Sequence, residues 1–393
     1  MLERLSVGRI PASPHTQLRA EGGRLLYEHC ITRDGFEGPY TIAYHEQRPH
    51  EAQPASDAPL VLPPADRRPE RLLRRHYASP TGASQLEPFP RHRGRLLENA
   101  DVAISLALPT RSDSAYFANA DGDELYFVHA GSGTLRTLLG DISYRAGDYL
   151  YVPRSLVHRF VVDSHTQHWL VLELRGALGI PRAYRNSVGQ LRMDAPYSHR
   201  DFRAPGLAAP RDEGIRDLWL KSNGSLQRFQ LAASPLDVVG WDGSLYPFAL
   251  SIEAFKPKVG KVHLPPPAHA TFEAPGVLIC SFVPRPLDFH EQAVPCPYPH
   301  SSVDVDELLF YSRGNFSSRR GVGPGSISHH PCGIPHGPHP GAYEASIGAK
   351  HTDELAVMLD CAKPLTRSAL AESLEDAAYH GSFVASAGSH STG

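Results

Sequence analysis

The chain has 393 residues and a formal net charge of −3, and this length allows two domains of ordinary size. So balanced a charge gives no electrostatic reason to expect nucleic acid or an anionic membrane as partner. The sequence has no run of 18 apolar residues and no apolar core of signal-peptide length at its N-terminus, so we expect a cytoplasmic protein without a membrane span. Five scattered cysteines without a CxxC pair predict reduced thiols.

Short apolar runs separated by abundant proline and glycine predict an all-β fold with many turns. In residues 1–60, LLYEHC and YTIAYHE have the composition of strands, whereas the basic, proline-broken residues 61–100 predict a long loop or arm. DVAISLAL at residue 101 opens a strand-rich unit that runs to about residue 175. Residues 176–235 then predict a loop-rich connection.

The second half repeats this organisation and ends differently. It opens at SPLDVVGWDG, and ELAVMLDCAKPL predicts its last apolar strand. The spacing of Leu365, Leu370, Leu374 and Ala377 predicts a short C-terminal helix. We therefore predict an N-terminal β domain at 1–235, with a barrel at about 101–175, and a C-terminal domain at 236–393.

An internal duplication supports this division. GDELYFVHAGSG and RAGDYLYVPRSLVHRF in the first half match VDELLFYSRGNF and GPGSISHHPCGIPHGP in the second. The matched positions pair Glu124 with Glu307, Gly131 with Gly314, Gly147 with Gly325, Pro153 with Pro331 and His158 with His336. Each half reads as two hairpins followed by a histidine, which is the layout of a cupin, a small jelly-roll barrel. The sequence thus predicts an all-β, two-domain bicupin with long loops.

Three residues of the second copy have the character of metal ligands. His300, Glu307 and His336 each lie on a short β-like segment and form a two-histidine, one-carboxylate set. Such a set holds one face of Fe(II) and leaves other positions open for O₂ and substrate. In the first copy, Phe117 stands seven residues before Glu124, where His300 stands before Glu307. We therefore expect the metal in the C-terminal barrel and a metal-free N-terminal barrel.

At these motifs the chain resembles the homogentisate 1,2-dioxygenase family, in particular its shorter bacterial members. The stretches that carry the resemblance span nearly the whole sequence: IPASPHTQLRAEGGRLLYEH, DVVGWDGSLYPFALSIEAF, PPPAHATFEAPG, FVPRPLDFH, HSSVDVDELLFYSRGNFSSRRG and HHPCGIPHGPHPG. The resemblance implies ferrous iron held by His300, Glu307 and His336, opening of the ring of homogentisate by O₂, and assembly into trimers or hexamers.

The resemblance also implies roles for further residues, with some departures. His330 matches a histidine that faces the substrate and is the candidate acid/base, with a supporting or exposed histidine as the alternative. Asp242 stands where better-known members carry an active-site histidine, and it either acts as a base or caps a turn. Phe316 replaces a substrate-contacting tyrosine. The spacing from His300 to Glu307 is one residue longer than in those members, as in the short bacterial branch.

Arg319 and Arg320 follow Phe316, and either could grip a substrate carboxylate in bidentate fashion. The alternative for both is a solvated loop arginine. His339 is expected to support the site rather than bind the metal, and Cys332 to fill space. We expect His263, His269 and His290 to be structural or surface residues.

Two functional classes follow. The first is an Fe(II)-dependent ring-cleaving dioxygenase that acts with O₂ on homogentisate or a related hydroquinone acid. The second is a non-redox bicupin, either a metal-dependent isomerase or a small-molecule binding protein, because fold alone does not fix chemistry.

Overall fold

The computed structural model describes residues 9–32, 36, 40–45, 71–86, 93–206, 211–214, 216–230, 234–236, 245–316 and 318–384. Two α-helices lie in these ranges, α1 (Ala342–Ala345) and α2 (Ala369–Leu374), and the remaining regular structure is mostly β. The predicted all-β class and the short C-terminal helix are therefore confirmed. None of the helices in the described part of the chain has the length and apolarity needed to cross a membrane.

Among the described residues, the N-terminal half contributes fifteen strands. Their bounds are as follows: β1 (Tyr27–Thr32), β2 (Tyr40–His45), β3 (Arg75–Tyr77), β4 (Arg93–Glu98), β5 (Val102–Ala107), β6 (Tyr116–Asn119), β7 (Asp123–Ala130), β8 (Ser132–Thr137), β9 (Gly140–Arg145), β10 (Asp148–Val152), β11 (His158–Val162), β12 (His168–Leu174), β13 (Phe202–Arg203), β14 (Asp217–Ser222) and β15 (Ser225–Gln230). The two strands predicted in residues 1–60 are confirmed as β1 and β2. The connection predicted to be loop-rich contains the β14–β15 hairpin.

The C-terminal half contributes ten strands, with these bounds: β16 (Phe248–Ser251), β17 (Ala270–Ala274), β18 (Val277–Phe282), β19 (Arg285–Pro286), β20 (His300–Ser302), β21 (Asp306–Arg313), β22 (Ile327–His330), β23 (His351–Thr352), β24 (Leu355–Cys361) and β25 (Thr366–Arg367). Short 3₁₀ turns lie between several of them, including Ile252–Ala254 and Pro266–His269.

The duplication seen in the sequence is repeated in the order of the strands. One sheet has the order β13-β16-β10-β7-β12-β5-β4-β25, and another has the order β17-β18-β24-β21-β22-β3. The inner run β10-β7-β12-β5-β4 therefore matches β22-β21-β24-β18-β17, with β7 and β21 equally long. At the matched turns Gly131 and Gly314 both have positive φ, +106° and +91°. The second N-terminal sheet, β15-β14-β6-β11-β8-β9, closes the first barrel.

Strand pairing crosses the predicted boundary at residue 235 in both directions. β1 pairs in parallel with β20, and β3 forms the edge of the C-terminal sheet beside β22. In return β16 and β25 extend the N-terminal sheet. β3 lies in the segment predicted to be a long loop or arm. Each half therefore contributes strands to the other's sheets. The strand pairing does not divide the chain at residue 235, although the sequence duplication does.

Both faces of the matched sheets are buried, in different surroundings. Side chains alternate along a strand, so Leu125 and Phe127 of β7 join one large core while Tyr126 and Val128 face the interior of the first barrel. Phe310 of β21 joins that large core from the other side, and its ring lies 5.9 Å from that of Phe127. The shared core fixes the two barrels back to back and turns the alternate residues of β21, including Glu307, into the second barrel.

Gly314, in the turn after β21, is one of the duplicated glycines, and its need for glycine can be compared with that of Gly348. A Cβ on Gly314 would lie 2.2 Å from the carbonyl oxygen of Asp353, whereas a Cβ on Gly348, also at positive φ, would meet no atom within 4 Å. We expect Gly348→Ala to lower the free energy of unfolding by about 1–2 kcal/mol through backbone strain, and Gly314→Ala by about 1–3 kcal/mol more through overpacking. Urea denaturation of both variants measures the difference, and equal losses would show that the turn relaxes freely.

Candidate metal centre and adjoining cavity

The two candidate histidine ligands are joined through their backbones. The amide N–H of His300 donates to the carbonyl of His336 and the amide N–H of His336 donates to the carbonyl of His300, both at 2.8 Å. This isolated antiparallel bridge places the two imidazole rings side by side, with centroids 4.2 Å apart. The pairing brings together residues 36 positions apart in sequence on the same side of the barrel wall.

Glu307 completes the candidate set from a neighbouring strand. Its Oε2 lies 3.3 Å from His300 Nε2, and its Oε1 lies 3.7 Å from His336 Nε2. One ligand atom from each of the three residues lies within 4.8 Å of the others. All three side chains are buried. The structure therefore brings together His300, Glu307 and His336 as the sequence predicted.

The hydrogen bonds of the imidazoles fix which nitrogen faces the cluster. His300 Nδ1 lies 3.1 Å from the carbonyl oxygen of Tyr298, and His336 Nδ1 lies 2.9 Å from that of Ile334. A carbonyl oxygen only accepts, so each Nδ1 carries the proton and each Nε2 presents a lone pair. Two bare nitrogens and a carboxylate then face one another, and the buried Nε2 of His336 has no hydrogen-bond partner in the described structure. This donor set fits a divalent cation.

The electrostatics agree with that fit. Burial would raise the pKa of Glu307, but the surrounding imidazoles, His336 first and then His300 and His330, hold that pKa well below its usual range. Burial, and then the neighbouring His300, lower the pKa of His336. The centre therefore favours an ionised carboxylate beside a neutral imidazole, which are the protonation states that bind a metal.

His330 supports Glu307 from the adjacent strand. The β21–β22 register sets Glu307 directly opposite His330, and His330 Nδ1 lies 2.9 Å from Glu307 Oε1. Its ring stacks on that of His336, with centroids 4.6 Å apart, and its Nε2 is buried without a partner in the described structure. His330 thus orients the carboxylate, which agrees with the supporting role left open for it.

A second carboxyl group flanks Glu307 on its other side. Asp360 of β24 lies opposite Glu307 in the β21–β24 register, and both its carboxyl oxygens are buried without a hydrogen-bond partner in the described structure. Burial and the charge of Glu307 raise the pKa of Asp360 well above its usual range. Asp306, by contrast, points to the other face, where it accepts from the backbone amides of Cys332 and Leu365.

A cavity of about 350 Å³ adjoins the centre. His300 and Glu307 contribute to its wall, and much of the rest is apolar: Leu264, Phe282, Leu309, Phe316, Ala356 and Met358. A space of this size beside open metal positions can hold a small aromatic molecule.

The residues predicted to bind substrate differ in position. Phe316 and Arg319 line the cavity. Arg319 Nη1 donates to the carbonyl of Gly337 at 2.5 Å, and its Nε is buried without a partner in the described structure. Arg320 is exposed, and its guanidinium donates to the carbonyl of Pro340, away from the cavity. Asp242 lies outside the described residues.

The sequence interpretation missed His263 as a cavity residue. His263 and His269 both line the cavity, although they were expected to be structural or surface residues. His263 Nδ1 lies 2.8 Å from Asp288 Oδ2, and burial foremost, then His15, lower the pKa of His263 to about 4. His330 is not among the cavity residues, so of the two it is His263 that a substrate would meet. The motif PPPAHATFEAPG, just after His263, was the available signal.

Two minor expectations have clear outcomes. The cysteines are free thiols, as predicted, and Cys332 is absent from the candidate ligand set. His339 Nε2 pairs with Ser382 Oγ at 2.8 Å, and its ring stacks on Phe383. His339 therefore anchors the C-terminal segment beneath the site.

The first copy holds a related but differently balanced cluster. His158 Nδ1 lies 2.8 Å from the carbonyl of Leu156, as His336 does with Ile334, and His158 Nε2 lies 3.8 Å from Glu124 Oε2. Phe117 is the register partner of His158, in the place that His300 takes beside His336. Arg93 Nη1 lies 2.7 Å from Glu124 Oε1, so a guanidinium supplies the positive charge there.

Comparison with known proteins identifies relatives of this chain. A family profile described as the N-terminal part of homogentisate 1,2-dioxygenase matches residues 93–252. A candidate dioxygenase of Saccharolobus solfataricus is 34% identical over 95% of this chain and 96% of its own length. Homogentisate 1,2-dioxygenases of Nitrobacter hamburgensis and Rhodopseudomonas palustris TIE-1 are each 28% identical over 67% and 69% of this chain. These two matches span 61% and 63% of the relatives' own lengths.

Among solved structures, a cupin 2 conserved barrel domain protein from Leptotrichia buccalis is similar over 69% of this chain and 88% of its own, with 12% identity and a TM-score of 0.30. Protein YlbA of Escherichia coli covers 70% of this chain and 86% of its own at 8% identity and the same TM-score. The cupin assignment rests on the strand order described above. Together with the near full-length relative, the profile match and the duplicated barrels show that the chain belongs to the homogentisate 1,2-dioxygenase family.

Proposed function

We propose that this protein is an Fe(II)-dependent dioxygenase that opens the ring of homogentisate or a related hydroquinone acid with O₂. The observation that supports it best is the convergence of two bare imidazole nitrogens and the Glu307 carboxylate beside a cavity of about 350 Å³. Bound iron would supply adjacent positions for a substrate oxygen and O₂ and a route for electrons between them. Small-molecule partners, a cytoplasmic location and a trimer or hexamer belong to the same proposal.

The cavity residues fit the remaining tasks. Phe316 and Phe282 offer apolar surface to an aromatic ring. His263, held through Nδ1 by Asp288 and with a lowered pKa, is neutral near pH 7 and can accept a proton from a phenol. His330 keeps Glu307 oriented from behind. Asp242 stays a predicted base or turn residue.

Arg319 is the residue that suits a substrate carboxylate. Its guanidinium lines the cavity, and no carboxylate forms an ion pair with it among the described residues. The nearby phenol of Tyr311 and, further on, the Glu307 carboxylate raise the pKa of Arg319 against the effect of burial. A lasting positive charge at the cavity wall can meet the anionic arm of the substrate, in place of the hydroxyl that Phe316 lacks.

The activity itself is tested by oxygen uptake. After anaerobic loading with Fe(II), we expect consumption of one O₂ per homogentisate or gentisate, with loss of the aromatic absorbance of the substrate. Omitting the metal is the control and should abolish uptake. If no para-hydroquinone acid supports uptake by the loaded protein, the dioxygenase proposal fails and a non-redox bicupin takes its place.

Metal binding is tested by comparing the two duplicated histidines. His336→Ala removes a proposed ligand and should lower bound Fe(II) to below a tenth of the wild-type content. His158→Ala removes the equivalent side chain of the first barrel and should leave that content unchanged. Elemental analysis of both variants after gel filtration measures the bound iron. Iron retained by His336→Ala, or lost from His158→Ala, would contradict the assignment.

Substrate recognition is tested with neighbouring arginines. Arg319→Met should raise KM for homogentisate by roughly 10- to 100-fold, because a charge-assisted hydrogen bond contributes about 1.5–3 kcal/mol. Exposed Arg320→Met is the matched control and should leave KM unchanged. For methylhydroquinone, which has no carboxylate, wild type and Arg319→Met should have the same KM. A similar loss on both substrates would show that Arg319 acts only through its bond to Gly337.

A further inference from the structure

A second cluster, of two histidines and a carboxylate, lies outside the metal centre. A nitrogen of His15, a nitrogen of His263 and an oxygen of Asp288 lie within 4.8 Å of one another. The rings of His15 and His263 have centroids 4.2 Å apart. Tyr298 packs against both, at 4.8 Å from His15 and 5.0 Å from His263. Since His263 lines the cavity, this cluster is the layer directly behind the cavity wall.

Glu28 holds His15 at two points. The backbone N–H of His15 donates to Glu28 Oε1 at 2.8 Å, and His15 Nδ1 lies 2.9 Å from Oε2. His15 has a φ of +55°, a conformation that residues other than glycine rarely adopt. Both side chains are almost fully buried, at 3% and 2% exposed. The positive φ of His15 therefore costs free energy, and the surrounding structure, including the buried Glu28 carboxylate, must offset that cost.

The clamp leaves one nitrogen of His15 unused. Nδ1 is directed to Glu28, and the Nε2 atom is buried without a partner in the described structure. A purely structural ring at this place would be served as well by an apolar side chain, because an unused buried polar atom lowers stability. His15 contributes a ring nitrogen to the cluster with His263, and the two rings are in contact, so the feature points towards that residue.

The same segments are tied to the metal centre. β1, which carries Glu28, pairs in parallel with β20, and the amide N–H of Cys30 donates to the carbonyl of Pro299 at 3.0 Å, one residue before His300. Thr16 bridges to Ala293, five residues after Asp288. The N-terminal segment thus pairs both with the strand of a metal ligand and with the segment that follows Asp288.

We propose that His15, oriented by Glu28, is a positioning residue that holds the imidazole of His263 against the cavity and tunes its readiness to take a proton. The proposal rests on the proposed function, in which His263 accepts the substrate's proton. The described groups that bear on His263 are His15, Asp288 and Glu28, with Tyr298 against its ring and His269 along the cavity wall. Glu28 favours a protonated His263 and His15 opposes it.

The expected effects have opposite signs. Glu28→Gln removes a negative charge, so the pKa of His263 should fall and the acid limb of the kcat/KM profile should move to lower pH. His15→Asn removes the opposing imidazole while an asparagine accepts the left-handed backbone, so that limb should move to higher pH. Both changes should lower kcat about tenfold or more, with KM within about threefold, because neither residue lines the cavity. Iron content should not change.

The experiment compares both variants with His165→Asn, an exposed histidine outside the cluster, which should behave as wild type. pH profiles of oxygen uptake are measured beside NMR titration of the His263 imidazole, which needs no turnover. Opposite shifts of that titration support the proposal even if no substrate is turned over, in which case only the proposed activity fails. Unchanged titration in both variants overturns it. So does a second equivalent of bound metal that disappears with His15→Asn, because the cluster would then be a cation site.

Discussion

The buried carboxylate of Glu307 is the group on which the rest of the site depends. It faces two imidazole nitrogens whose protons are directed away, to the carbonyls of Tyr298 and Ile334. A buried anion among lone pairs is unfavourable unless a cation or protons compensate it. Hydrogen bonding from His330 meets part of that need, and the raised pKa of the unpartnered Asp360 favours its neutral form, so that no second charge is added. The architecture of the second barrel is therefore consistent with a bound dication as part of its stable state.

The first barrel shows how the same framework is satisfied without that arrangement. Glu124 and Glu173 are register partners, as Glu307 and Asp360 are. Arg93 lies 2.7 Å from Glu124, and Lys221 forms an ion pair with Glu173. In one copy the paired acids meet cations carried by the chain, and Phe117 fills the place of the first imidazole. This comparison supports, on electrostatic grounds, the expectation that the metal belongs to the second barrel.

The sequence predicts those features that local pattern and duplication specify. The matched motifs located Glu307 and His336, and the turn glycines Gly131 and Gly314 have the positive φ that their alignment implies. Features that depend on the meeting of distant segments are harder to predict. Nothing in the spacing of Arg319 and Arg320 shows that one guanidinium lines the cavity while the other bonds to Pro340. The place of His263 in the cavity wall could not be predicted from its own segment, because its surroundings include Asp288, 25 residues later, and a ring from the N-terminus.

The exchange of strands between the two halves supports the metal site from parts of the chain that are distant in the sequence. A metal site open to substrate on one side needs rigid support on the others. β1 supports the strand of His300, β3 covers the edge beside His329 and Ser328, and the shared core holds β21 in place. Each support comes from a part of the chain remote from the ligands, so loosening the N-terminal segments would disturb the centre without altering a ligand. The same contacts therefore determine fold stability and site geometry. The N-terminal segments support the candidate active site although they are distant from its ligands in the sequence.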